Sequence, residues 1–395
     1  MFDMSTMLGD LGWPLGIALA WVVGEFGHRW TGLPRISLYG LVGFALGQAQ
    51  AGWLPSAGSG SMMLLANMAF GLILFEFGYR INIHWLRINP WLAASGLFEA
   101  ALTFASVLVL AMLADLPTVT GLLLASLAMS TSPAAVMRVV NEQRSSGQVT
   151  ERLIHLTGLN CVIAVFTFKV VVGVWTFQSS GSLLQAALNS VVLLGASALL
   201  GALCGIGVPA VMRGLGSLSR DATVAFAIAV VLLVAVAHAL KLSPVLATLT
   251  FGLVARYRRV AFSATQRNFG ALGDVLTVVL FMFVASTLEW SRVLNGLALA
   301  FALIAVRAAA KVLGTTLFAR LSGVSWRKGV LTGIAMTPIS VFVILLLEQA
   351  RYLGVDLVDQ LAPLAAATLL LELAGPIVTQ RALIWARETH ETGEP

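Results

Sequence analysis

The chain has 395 residues, 58% of them hydrophobic and only 11% charged, with a formal net charge of +6 and a mean hydropathy of +0.92. Soluble domains carry roughly 25% charged residues, so the composition excludes a water-soluble globule, a disordered chain and a nucleic-acid-binding domain. Cys161 and Cys204 both sit in apolar runs and support neither a disulfide framework nor a zinc site.

Apolar runs separated by turn residues and charges predict an all-α integral membrane protein with thirteen spans. They lie near 14–28, 36–54, 62–79, 91–114, 119–140, 153–176, 183–212, 222–240, 243–257, 270–289, 293–319, 328–347 and 357–380. The first run follows Asp3 and Asp10 rather than a basic segment, so it does not read as a cleavable signal. Arg29 and Arg35 follow the first span, Arg80 and Arg87 the third, Arg138, Arg144 and Arg152 the fifth, and Arg213 and Arg220 the seventh. Arg256, Arg258, Arg259 and Arg267 follow the ninth, Arg320, Arg327 and Lys328 the eleventh, and Arg381 and Arg387 the last. Eighteen of the 24 Lys and Arg residues thus fall on one side, against Lys241, Arg292 and Arg351 on the other. Because cytoplasmic loops are enriched in these residues, the pattern predicts an outside N-terminus and a cytoplasmic C-terminus in the cell (inner or plasma) membrane. The basic balance reads as topology and calls for no nucleic acid.

Charges inside spans are costly and usually face protein or water. Lys169, Arg307, Lys311, Glu25, Glu76, Glu99 and Glu372 are the exceptions. Glu99 and Glu372 lie near mid-span; Lys169 sits past the middle of its span, from where it can snorkel outward, and Glu25 and Glu76 lie near cytoplasmic ends, where a structural role suffices. Arg307 and Lys311 are four residues apart and share a helix face. A buried Lys can lose its proton, which makes Lys311 a functional candidate, whereas Arg307 suits a clamp on helix-end carbonyls. Two spans carry breaks, at Thr131-Ser132-Pro133 and at Thr337-Pro338. Proline frees a carbonyl from the helical ladder, and transporters place such breaks in matched pairs around an ion. The two prolines are 205 residues and seven spans apart, and an odd number of spans inverts the second half. The chain thus reads as a single transporter domain: repeat 1 over about 14–176, a linking span over about 183–212, repeat 2 over about 222–380, and a short cytoplasmic tail at 381–395.

From about residue 14 to 380 the chain resembles the monovalent cation:proton antiporter family. The resemblance rests on Gly32-Leu33-Pro34 with Tyr39 through Gly47, Gly71 through Gly78, Thr131-Ser132-Pro133 with Val136 through Val140, Leu242-Ser243-Pro244 with Phe251 through Val254, and Ala310-Lys311-Val312-Leu313-Gly314. It implies crossed, unwound helices beside a dimerisation domain, a homodimer, and elevator-like alternating access. In the family the sixth span carries an Asn-Asp or Asp-Asp pair; here the match is Asn160-Cys161, so the ion-binding aspartate is missing. Lys311 matches the Lys that often pairs with that aspartate, and Ser340 stands near a frequent glutamate. A thiol is a poor ligand for hard Na⁺ or K⁺, so oxygen must come from elsewhere.

The expected activity is exchange of K⁺ or Na⁺ for protons. Thr131, Ser132, Asn160 and Ser340 would line the site, Glu99 or Glu372 would titrate, and Lys311 would compete with the cation. Two alternatives stay open: a small anion drawn by Lys311 and Arg307, or a non-transporting scaffold or sensor. No nucleophile–His–acid set, HExxH or phosphate loop points to an enzyme, and no cofactor or resident metal is expected.

Overall fold

The computed structural model describes residues 4–55, 60–176, 183–214, 222–258, 269–288, 290–340 and 362–389. Residues 341–347 and 357–361 of the last two expected spans, and Asp3, Arg220, Arg259, Arg267 and Arg351, lie outside them. Every described element is helical: α1 (Met4–Thr31), α2 (Arg35–Leu46), α3 (Gly60–Arg80), α4 (Ile83–Ile88), α5 (Pro90–Leu113), α6 (Thr118–Ala128), α7 (Pro133–Glu142) and α8 (Gln148–Thr176). Then follow α9 (Leu183–Gly214), α10 (Ala222–Ala239), α11 (Pro244–Tyr257), α12 (Gly270–Ser286), α13 (Trp290–Leu317), α14 (Trp326–Ala335) and α15 (Ala362–Trp385). Seven described helical stretches, one of them α6 and α7 taken together, are long and apolar enough to cross a membrane, and four apolar helices are shorter.

The differences from the sequence reading have local causes. The second span stops at Leu46, because Gly47 ends α2 and the chain turns through Gly52 in the left-handed region. The unexpected α4 is one short turn of helix capped by Asn82, whose side chain accepts from the Trp85 amide at 3.2 Å. It ends at Asn89, where Pro90 disfavours helical geometry in the residue before it and starts α5.

The packing partners recur along the chain. α3 lies on α11 and α12 on α2; α5 packs on α6 and α13 on α14; α6 packs on α8 and α14 on α15. Membrane helices lack a hydrophobic drive towards one another and rely on close backbone approach at small residues. At the α3–α11 crossing, a Cβ on Gly252 would collide with the Phe75 carbonyl, and one on Gly78 with that of Leu249. Large apolar side chains on α9 and α10, such as Leu188, Val192, Leu199, Val224, Ile228 and Leu232, stay exposed.

Gly252→Leu is therefore expected to lower the melting temperature of the purified protein in detergent. Overpacking typically costs about 1–3 kcal/mol, and an unchanged melting temperature would contradict the tight crossing.

Candidate functional site

The two broken spans meet at the centre of the molecule. α6 ends at Ala128 and α7 begins at Pro133, with the Ser132 hydroxyl accepting from the Ala135 amide at 3.2 Å as the N-cap of α7. α14 ends at Ala335 and the described chain continues non-helical to Ser340. The breaks bond to each other: the Ser132 amide donates to the Pro338 carbonyl at 3.0 Å, and the Thr131 hydroxyl to the Met336 carbonyl at 3.5 Å.

Both breaks leave carbonyls without helical partners, and α13 supplies the donors. Arg307 donates to Ala128 at 2.8 Å, Ser130 at 2.6 Å, Thr337 at 2.6 Å, Pro338 at 3.3 Å and Met336 at 3.4 Å, all through backbone oxygens. It is buried and touches both crossing helices, so the clamp expected from the sequence is what the geometry displays. Two helix C-termini, each equivalent to about half a negative charge, face this one guanidinium.

One turn further on, Lys311 is fully buried. Its ammonium donates to Glu99 Oε1 at 2.8 Å and to the Met129 carbonyl at 3.1 Å. Glu99, also fully buried, accepts further bonds from the Thr103 hydroxyl at 3.0 Å and the Asn160 amide at 2.7 Å. The pair depends on how closely α5 and α13 approach. A Cβ on Gly314, one turn beyond Lys311, would stand 2.7 Å from the Glu99 Cα.

Asn160 turns its amide nitrogen to the carboxylate, which leaves its buried Oδ1 without a partner. The buried Thr157 hydroxyl, one turn away on α8, and the Ser340 hydroxyl are likewise unpartnered among the described residues. Such groups are rare in folded proteins and call for a ligand or water. Cys161 takes a different part. Its thiol donates to the Thr131 carbonyl at 3.3 Å, and its other side faces Val162, Val165, Leu194, Val245, Leu246 and Leu249.

Thr131, Ser132, Pro133, Thr337, Pro338, Arg307, Lys311, Glu99, Asn160 and Cys161 thus form one connected cluster, with Ser340 at its edge. Glu372 stands apart, against Gly40 of α2. Among the described residues Glu99 of α5 pairs Lys311 and backbone carbonyls surround Arg307, so neither is left as an unpaired positive charge. Thr103 and Thr157 were not singled out in the sequence. The i, i+4 spacing from Glu99 to Thr103 and the i, i+3 spacing from Thr157 to Asn160 were the available signals.

Glu25, Glu76 and Lys169 lie outside this cluster. Glu25 pairs with Arg29 and Arg35 at 3.0 and 2.9 Å. Glu76 accepts from Asn141 at 2.8 Å, and Lys169 is half-buried. The far end of α7 is tied to α1, α2 and α12: Arg138 to Asp274 at 3.0 Å, and Glu142 to Arg35 and His28, each at 3.0 Å.

Comparison with known proteins bears on the family and the fold. The family model described as sodium/hydrogen exchanger, transmembrane, matches residues 16–385. A structure of the sodium proton antiporter MjNhaP1 from Methanocaldococcus jannaschii at pH 8 superposes with a TM-score of 0.67 at 17% identity, covering 94% of this chain and 95% of that one. An electron-microscopy structure of the same antiporter gives 0.68 at 17% identity, with 96% and 98% covered. A comparison with curated proteins returns no match.

Removing one member of a buried ion pair typically costs about 3–5 kcal/mol, while replacing both with apolar groups is often neutral. Lys311→Met is therefore expected to lower thermal stability strongly, and adding Glu99→Leu to restore much of it. Additive losses in that double-mutant cycle would argue against the pair.

Proposed function

The chain belongs to the sodium/hydrogen exchanger family, and from that premise we propose that it exchanges Na⁺ or K⁺ for protons at the Glu99–Lys311 pair by alternating access. The carrying observation is the 2.8 Å contact between two fully buried, oppositely charged groups. It lies beside the unpartnered Asn160 oxygen.

Two occupancies of this cluster have the same net charge. In one, the Lys311 ammonium neutralises Glu99. In the other, a monovalent cation takes the ammonium's place, and the proton leaves Lys311 Nζ for water. The cation would be held by a Glu99 oxygen, Asn160 Oδ1 and a backbone carbonyl such as that of Met129, all hard oxygen donors suited to such an ion. Holding both cation and proton, or neither, leaves a buried charge uncompensated at several kcal/mol. About 3 kcal/mol already disfavours those states more than a hundredfold, which is what couples the two fluxes. Cys161 is a packing residue in this scheme and the oxygen chemistry bypasses it.

The anionic alternative loses its basis, since Arg307 is taken up by five carbonyls and Lys311 by Glu99. The thirteen-span topology with an outside N-terminus, the inner or plasma membrane, the two repeats, the elevator motion and the homodimer belong to the same reading. One observation supports the topology. The segments holding Arg80, Arg152, Arg256 and Ser322 meet around a cavity of about 940 Å³, which puts the ends of four expected odd-numbered spans on one face.

In proteoliposomes, a pulse of Na⁺ or K⁺ is expected to dissipate a preset pH gradient. Glu99→Gln abolishes the response, and Cys161→Ala retains it within about twofold, because the buried thiol acts as a small packing group and supplies no oxygen to the ion. No response to Na⁺, K⁺ or Li⁺ from folded protein would overturn the reading. Retained exchange in Glu99→Gln would remove Glu99 from it.

A further inference from the structure

Two large cavities are lined by described residues, and the charges around them differ in kind. One, of about 570 Å³, lies between α1, α2, α7 and α12. Two guanidiniums, Arg35 and Arg138, meet three carboxylates there, Glu25, Glu142 and Asp274, and all five are in ion pairs. The other is the cavity of about 940 Å³ bounded by α3, α4, α8, α11 and the turn at Ser322. Three guanidiniums, Arg80, Arg152 and Arg256, line it with a single carboxylate, Glu151, which is exposed.

Arg80 is shared with Glu76 at 3.7 Å and with Asn141. Among the described residues Arg152 and Arg256 have no carboxylate at ion-pair distance, and backbone oxygens hold them instead. Arg152, 7% exposed, donates to the carbonyls of Ser322 and, at 3.3 Å, Gln148. Its guanidinium carbon lies 5.6 Å from the centre of the Trp85 ring, which packs on His155 at 4.7 Å. Half-buried Arg256 donates through one nitrogen to the carbonyls of Arg80 at 2.6 Å and Tyr79 at 3.2 Å, at the C-terminus of α3. Glu388, bonded at the start of α8, is taken up by the amides of Val149 and Thr150 and by Lys328.

Carbonyl dipoles orient these two guanidiniums and leave their unit charges unbalanced. Withdrawing such a charge from water is costly, and an anion placed against it offsets the cost. The donor type narrows the class, because a planar fork of N–H groups matches the paired oxygens of phosphate. The volume falls in the range of ligand sites, about 300–1,000 Å³. It exceeds what a bare phosphate fills, so the group can arrive on a larger carrier. Basic pockets between spans on a cytoplasmic face also take lipid headgroups. Ile88 and Trp91, on either side of the lining residue Asn89 in sequence, are exposed, as residues at headgroup level are.

We propose that this cavity binds a phosphate group, carried by a lipid headgroup or by a soluble phosphate, between Arg152 of α8 and Arg256 of α11. Arg80 forms the third side. The occupant fastens α8, which carries Asn160 of the central cluster, to the α3–α11 pair. None of the groups assigned to cation exchange takes part, so the site stands or falls independently of that reading.

The test is melting of the purified full chain in neutral, phosphate-free detergent with two probes, inorganic phosphate and dioleoyl phosphatidic acid. Sodium chloride at equal ionic strength and dioleoyl phosphatidylcholine are the controls. At least one probe should raise the melting temperature saturably where its control does not. Arg256→Gln should raise the half-saturating concentration about tenfold or more. Arg87→Gln, which removes an exposed charge of α4 outside the lining, should leave it within about twofold. Glu151→Gln, an exposed change that spares folding, should lower it a few-fold by removing the one acid of the lining. A shift from inorganic phosphate identifies a soluble source, and one from phosphatidic acid alone identifies a headgroup. No saturable shift from either probe overturns the proposal. So does a half-saturation unmoved by both Arg256→Gln and Glu151→Gln.

Discussion

Two helices broken inside a bilayer leave carbonyls with no water to accept from, and the whole centre of this protein follows from how those oxygens are satisfied. In hydrocarbon each orphaned backbone group carries a penalty of several kcal/mol. A single guanidinium has five donors in a planar fork, and Arg307 directs them to oxygens of both breaks. That placement fixes α13 against the crossing helices. It also sets Lys311, one turn along, beside Met129 and Glu99. The Glu99–Lys311 contact is thus a product of backbone chemistry as well as of charge.

The charge on Lys311 is balanced across helices, from α5. Position 161 offers a thiol bonded to a carbonyl on one side and apolar side chains on the other. The carboxylate that balances Lys311 comes from α5, held by Thr103 and by Asn160, the neighbour of Cys161. Gly314 makes this possible by letting the α5 backbone lie against α13. An acid at either position can neutralise the same ammonium, because what the buried cluster needs is one negative charge at bonding distance, whichever helix supplies it.

How much of this was legible in the sequence varied with the physical signal. Long apolar runs and the placement of arginines marked the helices, since hydrophobic length and charge are one-dimensional properties. The two Thr/Ser–Pro breaks were legible because proline's missing donor leaves few options. The partner of Lys311 was not legible: Glu99 is 212 residues away, and nothing local says which acid will meet which base. The early end of α2 and the extra turn at α4 hinge on Gly47 and Asn82, single residues inside stretches whose average hydropathy hides them.

Arg307 has a mechanical consequence. Because one side chain grips carbonyls of both crossing helices, neither half can tilt alone without tearing several charge-assisted bonds in a dry interior. The breaks behave as a rigid hub and not as two hinges. Displacement must then be borne at the periphery, where Arg138 meets Asp274 and Glu142 meets Arg35 and His28. Those contacts are partly wetted and cheap to exchange for water, which makes the rim the soft part of the machine and its charged centre the stiff one.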